Sequence, residues 1–198
     1  MLWPLHTIVN DQDDRVNLPG DLAIWFFIAA ELLVFATLFI CFALARNDHA
    51  LLFAQAEKSL QRLPALLETL LLIASSYAVV CATRALHAGQ PRRGSRNFGA
   101  ALILGGVFCG LKVLELRRDF ALGMSLSHDL FDMFYLSLIV FHFMHVLMGM
   151  VMLSVVTLRS RRGAYDATNL SAVESVAAFW HMVDLLWIFL FVLVYVLT

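Results

Sequence analysis

Residues 178–198 read AFWHMVDLLWIFLFVLVYVLT. The stretch is apolar enough to cross a bilayer, which takes roughly 20 largely apolar residues. Yet it carries His181 and Asp184, three residues apart, inside the run. An ionisable side chain at that depth is costly unless it faces protein or trapped water. The stretch therefore predicts a membrane helix that turns its polar side chains toward other helices, and so a bundle.

The rest of the chain supplies the other helices. Of 198 residues, 61% are hydrophobic and 15% charged. A soluble domain is nearer half apolar and about a quarter charged. Mean hydropathy is +0.81. The candidate spans are 22–45, 65–86, 98–116, 130–158 and 172–197, in one membrane domain covering 1–198. The fold class is all-α, an integral bundle of five transmembrane helices. The first connector, with LLFAQAEKSL, mixes apolar and polar residues as a short interfacial helix does. The acidic opening MLWPLHTIVNDQDDR is unlike a secretory signal, so the first hydrophobic segment is expected to stay in the mature protein.

A net charge of −1 leaves no basic field for nucleic acid. Cys41, Cys81 and Cys109 are too far apart for a disulfide framework and read as buried apolar thiols. Lys and Arg bias sets orientation. One side holds Arg15, Arg84, Arg92, Arg93, Arg96, Arg159, Arg161 and Arg162; the other holds Arg46, Lys58, Arg62, Arg117 and Arg118. The heavier side puts the N-terminus in the cytoplasm and the C-terminus in the periplasm. Trp25 and Trp180 then fall near the cytoplasmic interface, where indole rings anchor well.

Several polar groups lie inside the spans. Glu31 is nine residues into the first, about 13–15 Å deep at ~1.5 Å per residue. His142 and His145 share a face of the fourth. Glu174, His181 and Asp184 line a stripe of the fifth. The fourth and fifth spans share a short connector, so His142 or His145 is expected to meet His181 and Asp184. Ser75 and Ser76 offer further interhelical hydrogen bonds, and Gly106 and Gly110 form a G-x-x-x-G that lets helices approach closely. Lys112 and Glu115 can pair near the outer end of the third span or snorkel to its surface, where Glu68 and Asp132 also fall. The spacings H-x-x-H and H-x-x-D would suit a metal, but the Glu-x-x-His pairs of a di-iron bundle are missing. A hydrogen-bonding network accounts for the same residues, and no metal is expected on this chain.

Five motifs in order, one per span, resemble the subunit III family of haem-copper oxidases in its short five-helix form. PGDLAIWFFIAAELLVFATLF resembles the family's first helix, with its buried acid at Glu31. ETLLLIASS resembles N-T-x-x-L-L-x-S-S, with Glu68 for Asn. LGGVFCGLKVLEL resembles L-G-x-x-F-x-x-x-Q-x-x-E-Y, with Lys112 for Gln and Leu116 for Tyr. FHFMHVLMG resembles F-H-G-x-H-V-x-x-G and ends on Gly149, a further helix-packing candidate. VESVAAFWHMVDLLWIFLF resembles E-x-x-x-x-Y-W-H-F-V-D-x-x-W-x-x-L-F, with Phe179 for Tyr. Lys112, FHFMH and WHMVDLLW look most like the branch associated with nitric oxide reductases and denitrification.

The resemblance implies a non-catalytic subunit of the bacterial inner membrane, with no catalytic residue and no haem or metal of its own. It implies a catalytic haem-containing partner and a phospholipid held in a cleft. Glu31 would serve proton uptake or the lipid cleft. Ser75, Ser76, Glu115, His142, His145, Glu174, His181 and Asp184 would form an internal polar network. The partner would belong to a nitric oxide reductase or to an aerobic cytochrome oxidase. Two readings compete with this one: a stand-alone proton conductor using Glu31, and a membrane metalloenzyme on the His and Asp cluster.

Overall fold

The computed structural model describes residues 22–56, 60–127, 129–163, 165 and 170–197. The N-terminal stretch with His6 and Arg15, and also Lys58 and His128, lie outside the described residues. Among the described residues five helices are long and apolar enough to cross a membrane: α1 (Leu22–Asp48), α3 (Arg62–His87), α4 (Pro91–Ala121), α5 (Leu130–Arg161) and α6 (Ser171–Phe191). The short α2 (Ala50–Ala56) fills the first connector, and a π-helical turn (Val192–Val196) prolongs α6. Among the described residues there is no strand.

The helices outrun the apolar segments that mark them. α4 has 31 residues where the hydrophobic run suggests 98–116, so it is about 46 Å long, against a hydrocarbon core of about 30 Å. Arg92, Arg93 and Arg96 at one end and Arg117 and Arg118 at the other continue the helix. Hydropathy reports where side chains stop being apolar, whereas backbone hydrogen bonding continues until a breaker. Here Pro91 occupies the first turn, where its missing N–H costs nothing. Gly89 (φ 67°) and Gly123 (φ 93°) end α3 and α4 in the left-handed region that favours glycine. Asp129 starts α5 by accepting the Asp132 N–H at 2.8 Å.

α3, α4, α5 and α6 pack in chain order, and α6 closes back onto α3, giving a four-helix bundle. The α3–α4 pair has the most extensive contact. α1 lies outside this bundle against α5 and α6. Its buried residues are Ile28, Phe35 and Phe42, a single stripe at heptad spacing. Phe35 packs 5.1 Å from Phe141, and Phe42 meets Phe53 of α2 at 5.4 Å and Phe134 at 6.3 Å between ring centroids. The Arg46 guanidinium donates to the Leu197 carbonyl, tying the end of α1 to the end of the last helix.

Close helix approach is set by a different glycine pair from the one the G-x-x-x-G suggests. Gly105 and Gly149 flank the Trp180 ring. A Cβ on Gly149 would stand 2.8 Å from it, and one on Gly105 would stand 3.1 Å from it and 2.7 Å from Met150 Sδ. Gly106 and Gly110 face outward. A Cβ on Gly110 meets nothing within 4 Å, and on Gly106 only the Met150 methyl at 3.9 Å. One residue is about 100° of helix rotation, which is enough to exchange inside for outside. Trp180, 1% exposed, is thus a core residue and not an interfacial anchor. Cys41 likewise faces out of the bundle, while Cys81 and Cys109 are half-buried.

Candidate functional site

The indole of Trp187 organises the polar interior. Its Nε1–H donates to Thr69 Oγ1 on α3 at 3.0 Å. The Lys112 ammonium of α4 lies 4.5 Å from the ring centroid, a cation–π contact. His142 of α5 sits 5.1 Å away, and Phe108 approaches edge-on at 5.2 Å. Four of the five sequence motifs therefore meet around one side chain.

Beyond Trp187 the charges converge. Lys112 Nζ is 2.7 Å from Glu68 Oε2 and 2.5 Å from Glu115 Oε2. Glu68 is 0% exposed and Lys112 1%. The Glu68 contact is an ion pair without hydrogen-bond alignment, and Glu68 Oε1 has no partner among the described residues. Tyr195 donates to Glu115 Oε1 at 3.1 Å, and the Tyr135 hydroxyl stands 3.2 Å from Asp119 and 3.3 Å from Tyr195. Lys112 does not snorkel to the surface: two carboxylates and an aromatic face already surround it inside. Residue spacing along α4 shows the Lys112–Glu115 pair, but the neighbours from α3 and α5 and from the π turn are set by packing alone.

The remaining candidates divide among separate contacts instead of forming one network. His145 Nε2 meets Glu31 Oε2 at 3.0 Å, joining α5 to α1. Its Nδ1 lies 2.7 Å from the Phe141 carbonyl, which can only accept, so Nδ1 carries a hydrogen. His142 points elsewhere, and neither of its ring nitrogens has a partner among the described residues. His181 Nδ1 lies 2.7 Å from Ser76 Oγ, joining α6 to α3. Ser75 donates to the Ala101 carbonyl at 2.9 Å, joining α3 to α4. Asp184 is buried with Oδ1 unpartnered among the described residues. Glu174 pairs with His87 at 3.1 Å near the ends of their helices. The expected meeting of His142 or His145 with His181 and Asp184 does not occur, because the two α5 histidines face α1 and the Trp187 pocket. Among the described residues no three His, Cys, Asp or Glu side chains gather as a metal site would require.

A cleft of about 590 Å³ opens between α1, α3 and α6. Trp25, Ile28, Leu32 and Leu185 give it apolar walls, and Arg84, His87 and Glu174 stand at one end. His181 lines it at greater depth. Residues overlooked from sequence are Thr69, Trp187, Tyr135, Tyr195 and Asp119. Trp187 and Thr69 stood in recognised motifs, but the tyrosines carried no local signal.

Comparison with known proteins agrees with this architecture. Residues 7–198 match the family described as cytochrome c oxidase subunit III. Cytochrome c oxidase subunit 3 of Thermostichus vulcanus is 31% identical over 173 residues, 87% of this chain and 84% of its own length. Cytochrome bo(3) ubiquinol oxidase subunit 3 of Pseudomonas aeruginosa is 25% identical over 195 residues, covering 97% and 92% of the two chains. Cytochrome c oxidase subunit 3 of Bacillus subtilis is 25% identical over 188 residues, covering 93% and 90%. With its five motifs carried in order on five membrane-length helices, the chain belongs to the cytochrome c oxidase subunit III family.

Proposed function

We propose that this chain is the non-catalytic, subunit III-type component of a haem-copper respiratory complex, with its N-terminus in the cytoplasm of a bacterial inner membrane. The observation that carries the reading is the use made of the buried polar groups. Glu31–His145, Ser76–His181, Ser75–Ala101 and Lys112 with Glu68 and Glu115 each tie one helix to another. They hold the bundle together and leave the redox chemistry to a haem-bearing neighbour. Mild detergent extraction tests it: a larger haem-containing membrane protein should copurify, and His181→Ala or Asp184→Ala should weaken that association more than turnover per assembled complex. Full assembly with complete loss of turnover would oppose the reading. So would proton flux through liposomes of the isolated chain that Glu31→Gln abolishes.

For the partner, Lys112, FHFMH and WHMVDLLW favour a nitric oxide reductase. The names of the relatives, subunits of cytochrome c and ubiquinol oxidases, favour an aerobic terminal oxidase at least as well. Turnover of the copurified complex on nitric oxide and on oxygen separates the two. The α1–α3–α6 cleft is the proposed phospholipid site, with acyl chain along Trp25, Ile28 and Leu32 and headgroup phosphate toward Arg84. Lipid retained through purification, and lost in Arg84→Ala, would support it.

A further inference from the structure

The Lys112 cluster has more negative charge than its one cation can balance. Glu68, Glu115 and Lys112 together sum to −1, and Glu68 and Lys112 are 0% and 1% exposed. The groups facing this trio are known from each helix around it. α3 contributes Glu68 itself and Thr69. α4 contributes Asp119, with Arg118 beside it. α5 contributes Tyr135 and His142; α6 and its π turn contribute Trp187 and Tyr195. Among the described residues, Lys112 is the one cation facing Glu68. An uncompensated ionised carboxylate in such an interior costs far more than taking up a proton.

Unpartnered polar atoms point the same way. Glu68 Oε1 and both ring nitrogens of His142 are buried with no hydrogen-bond partner among the described residues, and His142 and Lys112 contact the same Trp187 ring. Buried polar atoms left open in this way are where internal water binds.

We propose that Glu68, Glu115 and Lys112 form a hydrated proton-binding site, in which the two carboxylates share one exchangeable proton. Uptake breaks an O–H bond of hydronium, forms a carboxyl O–H, releases water and brings the trio to zero charge. The hydroxyls of Tyr195 and Tyr135 link Glu115 to Asp119, which is 8% exposed, and give the proton its way out. The site is distinct from Glu31, which lies on α1 against His145. It does not depend on which respiratory complex the chain joins.

Infrared spectroscopy of the chain as copurified, exchanged from water into deuterium oxide, tests this. The wild type should show the carbonyl stretch of a protonated carboxylic acid, shifting on deuteration. Glu68→Gln and Glu115→Gln should each abolish that band, because either leaves one carboxylate neutralised by Lys112 and no proton to hold. Both variants replace an acid by its near-isosteric amide and relieve the charge imbalance, so the bundle should still form; intact copurification checks this. A band that survives in both variants, that vanishes only in Glu31→Gln, or that never shifts on deuteration overturns the proposal.

Discussion

α1 and the α3–α6 bundle meet the membrane in opposite ways. In its apolar stretch 17% of the residues of α1 are buried, against 22% in α4, 39% in α5, 44% in α3 and 56% in the last span. Among the attachments of α1 are a buried stripe of Ile28, Phe35 and Phe42, Phe27 against Phe179, the Glu31–His145 contact, and Arg46 at its end. The bundle encloses an ion-pair cluster, a central indole and two glycine notches for Trp180. A helix with one buried face can shift or lose a contact cheaply. A closed bundle with charge inside has to satisfy that charge itself, so its errors cannot be absorbed by lipid or by a neighbour.

The sharpest way to break this contrast is at Lys112. Lys112→Ala leaves the buried Glu68 and the half-buried Glu115 without their cation and should cost about 3–5 kcal/mol, read as lost thermal stability in detergent. Glu68→Asn combined with Lys112→Gln, the amides that stand at these positions in the motifs the chain resembles, should recover most of it. If the double variant is as unstable as the single one, the two departures are not one compensated exchange. Next comes Gly149→Ala, which pushes a methyl against the Trp180 ring and should cost about 1–3 kcal/mol, while Gly110→Ala stays within about 0.5.

On the α1 side, Glu31→Ala removes a partly buried partner of His145 and should cost about 1–3 kcal/mol. Its larger mark should be a loosened α1, measured as faster amide exchange there with α3–α6 unchanged. Equal loosening of the bundle would erase the distinction between the regions. The smallest effect is expected at Glu174→Ala. Its partner His87 is 51% exposed, and such pairs contribute about 0–1 kcal/mol. Thermal stability should barely move.

The sequence by itself determined five membrane helices, their order and the family, because apolar run length and motif order are local and are read without knowing any contact. It also determined that Glu31, His142, His145, His181 and Asp184 could not all face lipid, since hydrocarbon offers such groups no partner. Only the tertiary structure decided which partner each has. It separated His142 from His145, chose Gly105 over Gly106, drew Trp180 inside and enclosed Lys112 between acids on two helices. The reason is rotational: about 100° between neighbouring residues decides what a side chain touches, and that angle is set by how whole helices pack.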